Sequence, residues 1–371
     1  MWSAFSSSLA SGVAVPRLRA AAAAAAIWTA GASGVSAIVI NDGDAGQDLA
    51  LGLAFPSVAK IEIDVPPAGG SFGICSGALI SATHVLSADH CFDEADTNYA
   101  PLTQVKFPDA SGNVGGINQP SPGGTFGVTS ILRMAPSSAG FGQLLNGADL
   151  AVLTLDAPVL DRDPFLVLNE PLAALDETAV LAGFGRFGLG SAGPGGATSN
   201  ATRAARQVVE FYGAAKAVGT QTTTGPGGVT TSQFLGDIPG TENIYTTDFD
   251  NPDNPPEGDT FGLAIPFNAA LVADAEGTTA GGDSGGPLLV MINGEWVVAG
   301  ALSGGTSTSS QFGDLSYWTG TGAPAALAFI SANSDARFSS EIPIPASGSL
   351  LLLGVAGMAA LRRRRGAARK T

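Results

Sequence analysis

Residues 281–303 read Gly281-Gly282-Asp283-Ser284-Gly285-Gly286-Pro287-Leu288-Leu289-Val290-Met291-Ile292-Asn293-Gly294-Glu295-Trp296-Val297-Val298-Ala299-Gly300-Ala301-Leu302-Ser303. Two apolar runs, Pro287 to Ile292 and Glu295 to Ser303, flank the dipeptide Asn293-Gly294. Asn and Gly tolerate the positive φ that a type I′ turn demands, and that turn's twist matches the twist of paired strands. The stretch therefore reads as a β-hairpin preceded by a glycine-rich loop. Further strands follow on either side. Thr178 to Gly183 and Gln207 to Tyr212 are short apolar runs, Ala148 to Leu155 is a buried strand, and Ile74 to Leu86 is a strand pair. Ala54 to Val65 alternates and ends at the turn Pro66-Pro67-Ala68-Gly69-Gly70. The Asp- and Pro-rich segment Asp156 to Asp176 makes the crossing between two halves. The 51 Gly and 23 Pro among 371 residues interrupt the chain too often for long helices, no fixed-period repeat occurs, and the class is all-β.

The bulk charge narrows the partners. The chain carries 32 Asp+Glu against 17 Lys+Arg, for a net charge of −15. Arg17 and Arg19 lie near the start, and Arg362, Arg363, Arg364, Arg365, Arg369 and Lys370 crowd the end, so the body between them is more acidic still. Such a surface repels nucleic acid and anionic lipid. Hydrophobic residues make up 45%, enough for a packed core.

Both ends read as sorting signals. Arg17 and Arg19, the small apolar run Ala20 to Ala32, and the cleavage-type tripeptide Val35-Ser36-Ala37 follow the order of a secretory signal peptide, residues 1–37. At the other end, Ile342-Pro343-Ile344-Pro345-Ala346 precedes the apolar run Ser347 to Leu361 and the cluster Arg362 to Arg365. That run is short for a full span of about 20 residues, but it suffices for insertion with the arginines held inside. The layout of 339–371 resembles the PEP-CTERM sorting tails of Gram-negative bacteria, in the variant that begins Val-Pro-Leu-Pro-Ala. The resemblance implies processing by an exosortase-type enzyme and membrane contact through the tail, while the N-terminal signal implies cleavage by signal peptidase. An ordinary C-terminal anchor gives nearly the same location, which is exported: periplasm, cell surface or outside the cell. In an exported chain, Cys75 and Cys91, the sole cysteines, read as one disulfide worth about 3 kcal/mol on the loop-entropy model.

Three segments hold residue types suited to nucleophilic catalysis. Cys75-Ser76-Gly77-Ala78 runs on to Ser87-Ala88-Asp89-His90-Cys91, Asp149 opens Asp149-Leu150-Ala151-Val152-Leu153, and Ser284 sits in Gly282-Asp283-Ser284-Gly285-Gly286-Pro287. A serine hydroxyl is a weak nucleophile at neutral pH, so it needs a base to take its proton. An imidazole takes that proton and returns it to the leaving group. A carboxylate on the other ring nitrogen fixes the tautomer. Only His84 and His90 are available as base. His84, after the Ser81-Ala82-Thr83 turn, reads as structural. Gly-Asp-Ser-Gly-Gly also fits the nucleophile elbow of α/β-hydrolases, but that order needs a histidine after the serine, and none follows Ser284. A subtilisin order starting from Asp64 lacks local support.

Together the three segments resemble the trypsin/chymotrypsin family over most of residues 75–305. The resemblance implies two antiparallel Greek-key β-barrels, 38–165 with His90 and Asp149 and 166–338 with Ser284, and a catalytic cleft between them. It implies cleavage of polypeptides through an acyl-enzyme, with no metal and no organic cofactor. It puts the oxyanion hole on the N–H groups of Gly282 and Ser284. It implies an activation ion pair between a freed Ile38 amine and Asp283, with Ile40-Asn41 where the family has two glycines. It puts Thr278 at the floor of the primary pocket, with Glu276 nearby, and Ser303 and Gly305 on the strand that pairs with substrate. The family's tryptophan is Gly304, a supporting cysteine is Ala280, and the small residue beside the base is Asp89, which either raises the basicity of His90 or faces solvent.

The acidic run Asp248, Asp250, Asp253, Glu257, Asp259 fails the EF-hand spacing, since Pro252 and Asp253 occupy ligand and glycine positions, and it reads as a solvated loop. The rival to an enzyme is a non-catalytic surface or matrix module on the same fold; an esterase with the same triad is a third reading.

Overall fold

The computed structural model describes residues 38–64, 72–92, 97–134, 144–225, 228–251, 275–306 and 309–342. All of them fall in one compact unit, Gly34–Thr371. The signal-peptide segment, the turn at 66–70, the acidic residues Asp253, Glu257 and Asp259, and the tail from 343 onward lie outside the described residues.

The first half closes into a six-stranded barrel in the order β2 (Val58–Asp64), β3 (Phe72–Ser81), β4 (His84–Ser87), β7 (Ala151–Leu155), β6 (Thr125–Arg133), β5 (Thr103–Lys106). Every pair is antiparallel, and β4 next to β7 and β5 next to β2 are the non-sequential neighbours of a Greek key. Period-2 alternation explains why these strands are apolar on both faces. Ala59, Ile61, Ile63, Cys75, Leu79, Val85, Ala151 and Leu153 fill the barrel. Their neighbours Val58, Ala78, Ile80, Leu86 and Val152 point outward into a second core.

That second core joins the two halves. Val180, Ala182, Phe184, Leu289, Val298 and Ala301 meet the outward residues of the barrel there, and the closing helix α2 (Pro324–Asn333) adds Ala326 and Ile330, one turn apart. The second half is a curled antiparallel sheet in the order β12 (Arg203–Val208), β9 (Thr178–Gly183), β18 (Pro287–Ile292), β19 (Glu295–Gly305), β20 (Leu315–Gly320), β16 (Ile244–Asp248), β13 (Phe211–Gly213), with the short strand β8 (Leu166–Val167) running parallel to β19. The two expected barrels thus appear as one closed barrel and one half-barrel whose edges are β12 and β13, the trypsin-like double-barrel architecture. A small sheet holds β1 (Val39–Ile40) between β10 (Arg186–Leu189) and β17 (Gly277–Thr278).

The Asn293-Gly294 turn is as expected, with φ of 50° and 90° and Ile292 opposite Glu295. Several other expectations need correction. The Ala54–Val65 strand begins only at Val58; the short helix α1 (Gln47–Gly52) and its closing turns occupy the chain as far as Phe55. Gln207–Tyr212 is the end of one strand and the start of another. The stretch after Gly213, for which no element was expected, forms a long hairpin, β14 (Lys216–Gly225) with β15 (Gly228–Asp237). Asp248 and Asp250 are buried rather than solvated, since β16 is an inner strand of the sheet and the Asp250 N–H is held by Glu276. Ser339–Glu341, at the start of the segment read as a tail, form a 3-10 turn tied to Asn169 through Ser339, and Ile342 packs into the core of the second half.

Candidate active site

Strand pairing alone brings His90 and Asp149 together. Ser87 of β4 lies opposite Ala151 of β7. His90 leaves the end of β4 in the 3-10 turn Asp89–Phe92, and Asp149 sits in the turn just before β7. Two antiparallel neighbours therefore deliver imidazole and carboxylate to the same end. The Asp149 carboxylate is buried and bound through both oxygens: Oδ1 accepts the His90 backbone N–H at 2.9 Å and Oδ2 lies 2.8 Å from His90 Nδ1. Nδ1 facing a carboxylate carries the proton, which leaves Nε2 with its lone pair. The imidazole is 20% exposed against 2% for the carboxylate, so the ring is the accessible member of the pair.

The serine segment docks onto the same corner. The carbonyl of Ser284 accepts the Ser76 N–H at 2.8 Å and lies 3.8 Å from the sulfur of Cys91, the residue after His90. Cys91 is bonded to Cys75, which ties the turn of His90 to β3. Ser76 also donates its hydroxyl to the Gly282 carbonyl at 2.9 Å and accepts the Phe184 N–H at 3.0 Å, clamping the loop from both sides. Gly285 has φ +76°, and a Cβ there would strike Ser87 Oγ and the N of Ala88. Glycine is what lets the loop approach within two residues of His90. Ser284 itself is half-buried.

Around the serine, Asp283 N donates to Ala280, Gly285 N to Leu302 and Gly286 N to Asp283. Among the described residues, neither the N–H of Gly282 nor that of Ser284 has a protein acceptor. Gly282 has φ +101° and its Cβ position is filled by Gly185 at 2.7 Å. Asp283 is buried, with Oδ1 accepting from Gly185 N at 3.1 Å and Oδ2 from Ala280 N at 3.2 Å. Burial pushes its carboxyl up to about 7, against the pull of those amides and of Arg203. Ile38 is buried at the start of β1, in the core of the second half.

Thr278 stands opposite Val39, and its hydroxyl lies 3.1 Å from that of Ser316, which also meets Thr279 at 2.7 Å. Ser316 of β20 pairs with Gly305 of β19, so it neighbours both Thr278 and Gly305. The Ser303 hydroxyl turns to Thr319 at 2.8 Å. Glu276 engages the Asp250 amide instead of the threonine hydroxyls. His84 bonds Ser81 and Thr83 at the opposite end of β4 from His90. Asp89 is buried and paired with Arg133. Arg133, Ser76, Thr279 and Ser316 were not legible as site residues; a lone serine in the apolar strand Leu315-Ser316-Tyr317-Trp318 was the one available signal.

The closed barrel with its histidine and carboxylate has a counterpart among known families. The Trypsin family model matches residues 53–210. The match supports the trypsin-like serine protease family, and it includes His90 and Asp149 but ends before Ser284. The disulfide beside His90 is of a kind typical of exported proteins. No curated protein matches the chain. No helix among the described residues is long and apolar enough to cross a membrane.

Proposed function

We propose that this chain is an exported serine endopeptidase in which Ser284 is the nucleophile, His90 the general base and Asp149 the carboxylate that orients it. The observation that carries this reading is the double grip of Asp149 on the backbone and Nδ1 of His90, beside a serine loop anchored to Ser76 and Cys91. Nε2 takes the Ser284 proton as the hydroxyl attacks a peptide carbonyl. The N–H groups of Gly282 and Ser284 receive the oxyanion, as fixed donors aimed where charge develops in the transition state. The imidazolium then protonates the leaving amine, and water clears the acyl-enzyme by the same route. Thr278 lies under the side chain ahead of the scissile bond and Ser303 to Gly305 pair with the substrate backbone, assignments that a peptide-library cleavage profile tests.

A fluorophosphonate probe tests the nucleophile. The mature protein is expected to be labelled and its Ser284→Ala variant to take up no label; an unlabelled wild type that is folded sinks the reading in favour of a binding module on the same fold.

For activation, signal peptidase cleavage after Ala37 frees Ile38, whose ammonium adds a cation for Asp283, a buried carboxyl otherwise bonded to the amides of Gly185 and Ala280. A carboxyl whose folded pKa is raised resists ionising in the fold. It therefore costs stability as pH climbs from the ordinary carboxylate range through about 7. A chain that retains Ala37 is thus expected to lose thermal stability from about pH 4 to about pH 7 by this group, with no further loss above, whereas the chain beginning at Ile38 keeps it. N-terminal sequencing of the exported protein that finds a different first residue removes this route. The tail from 343 is proposed to serve sorting by an exosortase-type enzyme.

A further inference from the structure

Asp89, one residue before His90, is only 4% exposed, and it is not left to repel Asp149 across the imidazole. Arg133 closes β6, and its Cα pairs with Ala151, the same residue that Ser87 of β4 faces from the other side. The row Arg133–Ala151–Ser87 is the last rung of the barrel before His90 and Asp149 depart from it. From that rung the guanidinium reaches Asp89 through two bonds, Nε to Oδ1 at 2.5 Å and Nη2 to Oδ2 at 3.1 Å. The pair is a fork on a fork, the geometry in which arginine holds a carboxylate most firmly.

We propose that the Asp89–Arg133 ion pair is a positioning and charge-balancing element for His90: the guanidinium cancels the second carboxylate beside the imidazole and ties the turn of the base to β6. Asp149 then bonds the ring directly while the charge of Asp89 is met by Arg133. The proposal rests on His90 being the base of the hydrolase. It explains why a carboxylate is tolerated beside His90 at all. Burial drives the Asp89 carboxyl upward, and the hydrogen bond and charge of Arg133 hold it down; Asp149 and His90 act on it with opposite signs. Among the described residues, the charged groups at this corner are Asp149 ahead of β7, Asp89 in the turn of the base and Arg133 at the end of β6. Asp283 turns its carboxylate away to the amides of Gly185 and Ala280. His84, at the far end of β4, faces Asp335.

The signs follow from charge. Arg133→Met leaves Asp89 uncompensated, which favours the imidazolium. The acid limb of the pH profile is expected to move up by about one pH unit, with roughly tenfold slower reaction below it and little change above it. Asp89→Asn leaves Arg133 uncompensated and moves the limb down. The double variant returns it to the wild-type position, and Arg133→Lys stays near wild type. The readout is the rate at which a fluorophosphonate labels Ser284 as a function of pH. Alongside it, imidazole NMR titration in the unlabelled protein is simple because the chain has two histidines. Thermal melts confirm that each variant is folded; if Arg133→Met is not, Asp89→Asn and Arg133→Lys carry the test. The proposal is overturned if the single variants leave both limb and titration in place, if both move in the same direction, or if the double variant fails to cancel them. A folded wild type that takes up no label at any pH overturns the hydrolase reading instead, and the NMR titration still decides whether the pair balances the charge at His90.

Discussion

Asp149→Asn is expected to slow covalent labelling of Ser284 by about four orders of magnitude at neutral pH, with the protein still folded. The reason is the pattern of donors. Both Asp149 oxygens are acceptors here, one for the His90 backbone N–H at 2.9 Å and one for Nδ1 at 2.8 Å. Asparagine offers one acceptor and one donor. The backbone N–H cannot change its role, so it takes the carbonyl oxygen, and the amide NH2 then faces Nδ1. The ring answers by moving its proton to Nε2, the nitrogen that must accept from serine. The imidazole is then present and in place, but protonated on the wrong side. Labelling rates within tenfold of wild type would show that Asp149 does not set the tautomer, and the triad assignment would go with it.

Gly285→Ala is expected to destabilise the protein by about 4 kcal/mol, from a non-glycine residue at positive φ together with overpacking. The residue sits at φ +76°, and its added methyl would meet Ser87 Oγ, the N of Ala88 and the carbonyl of Ser76. These are backbone atoms and the fixed end of a strand rather than the far ends of flexible side chains. Ser87 cannot turn aside cheaply because its hydroxyl is bonded to the Ser76 carbonyl at 2.8 Å. The chain must therefore lift the serine loop away from β4, which separates Ser284 from His90. Denaturant melts and labelling rates are expected to fall together. A variant with wild-type stability would mean that the loop does not approach β4 this closely.

The glycine-rich serine motif, the hairpin after it and the short strands were legible because their signals are local. Asn293-Gly294 fixes a turn type by φ alone, and His90-Cys91 and Asp283-Ser284 are adjacent residues whose chemistry is visible in their names. The limits of the elements were less legible. Ala54 and Phe55 look like strand residues, yet they close a helix whose existence depends on packing against β12. Asp248 and Asp250 look like solvent-facing acids, yet they are buried.

Sequence by itself determined the all-β class, the order of the chemistry-bearing residues His90, Asp149 and Ser284, and the sole cysteine pair, since each of these depends on residue identity or short spacing. The tertiary structure decided which groups share a corner. That Arg133 would reach Asp89, that Ser76 would hold the loop of Ser284, and that Ser316 would meet Thr278 all depend on strand register and on which neighbours pair in the closed sheet. Register is fixed by the burial of many side chains at once, and a one-residue slip would send every one of them to the other face. Such a property belongs to the assembled sheet, and no single segment carries it.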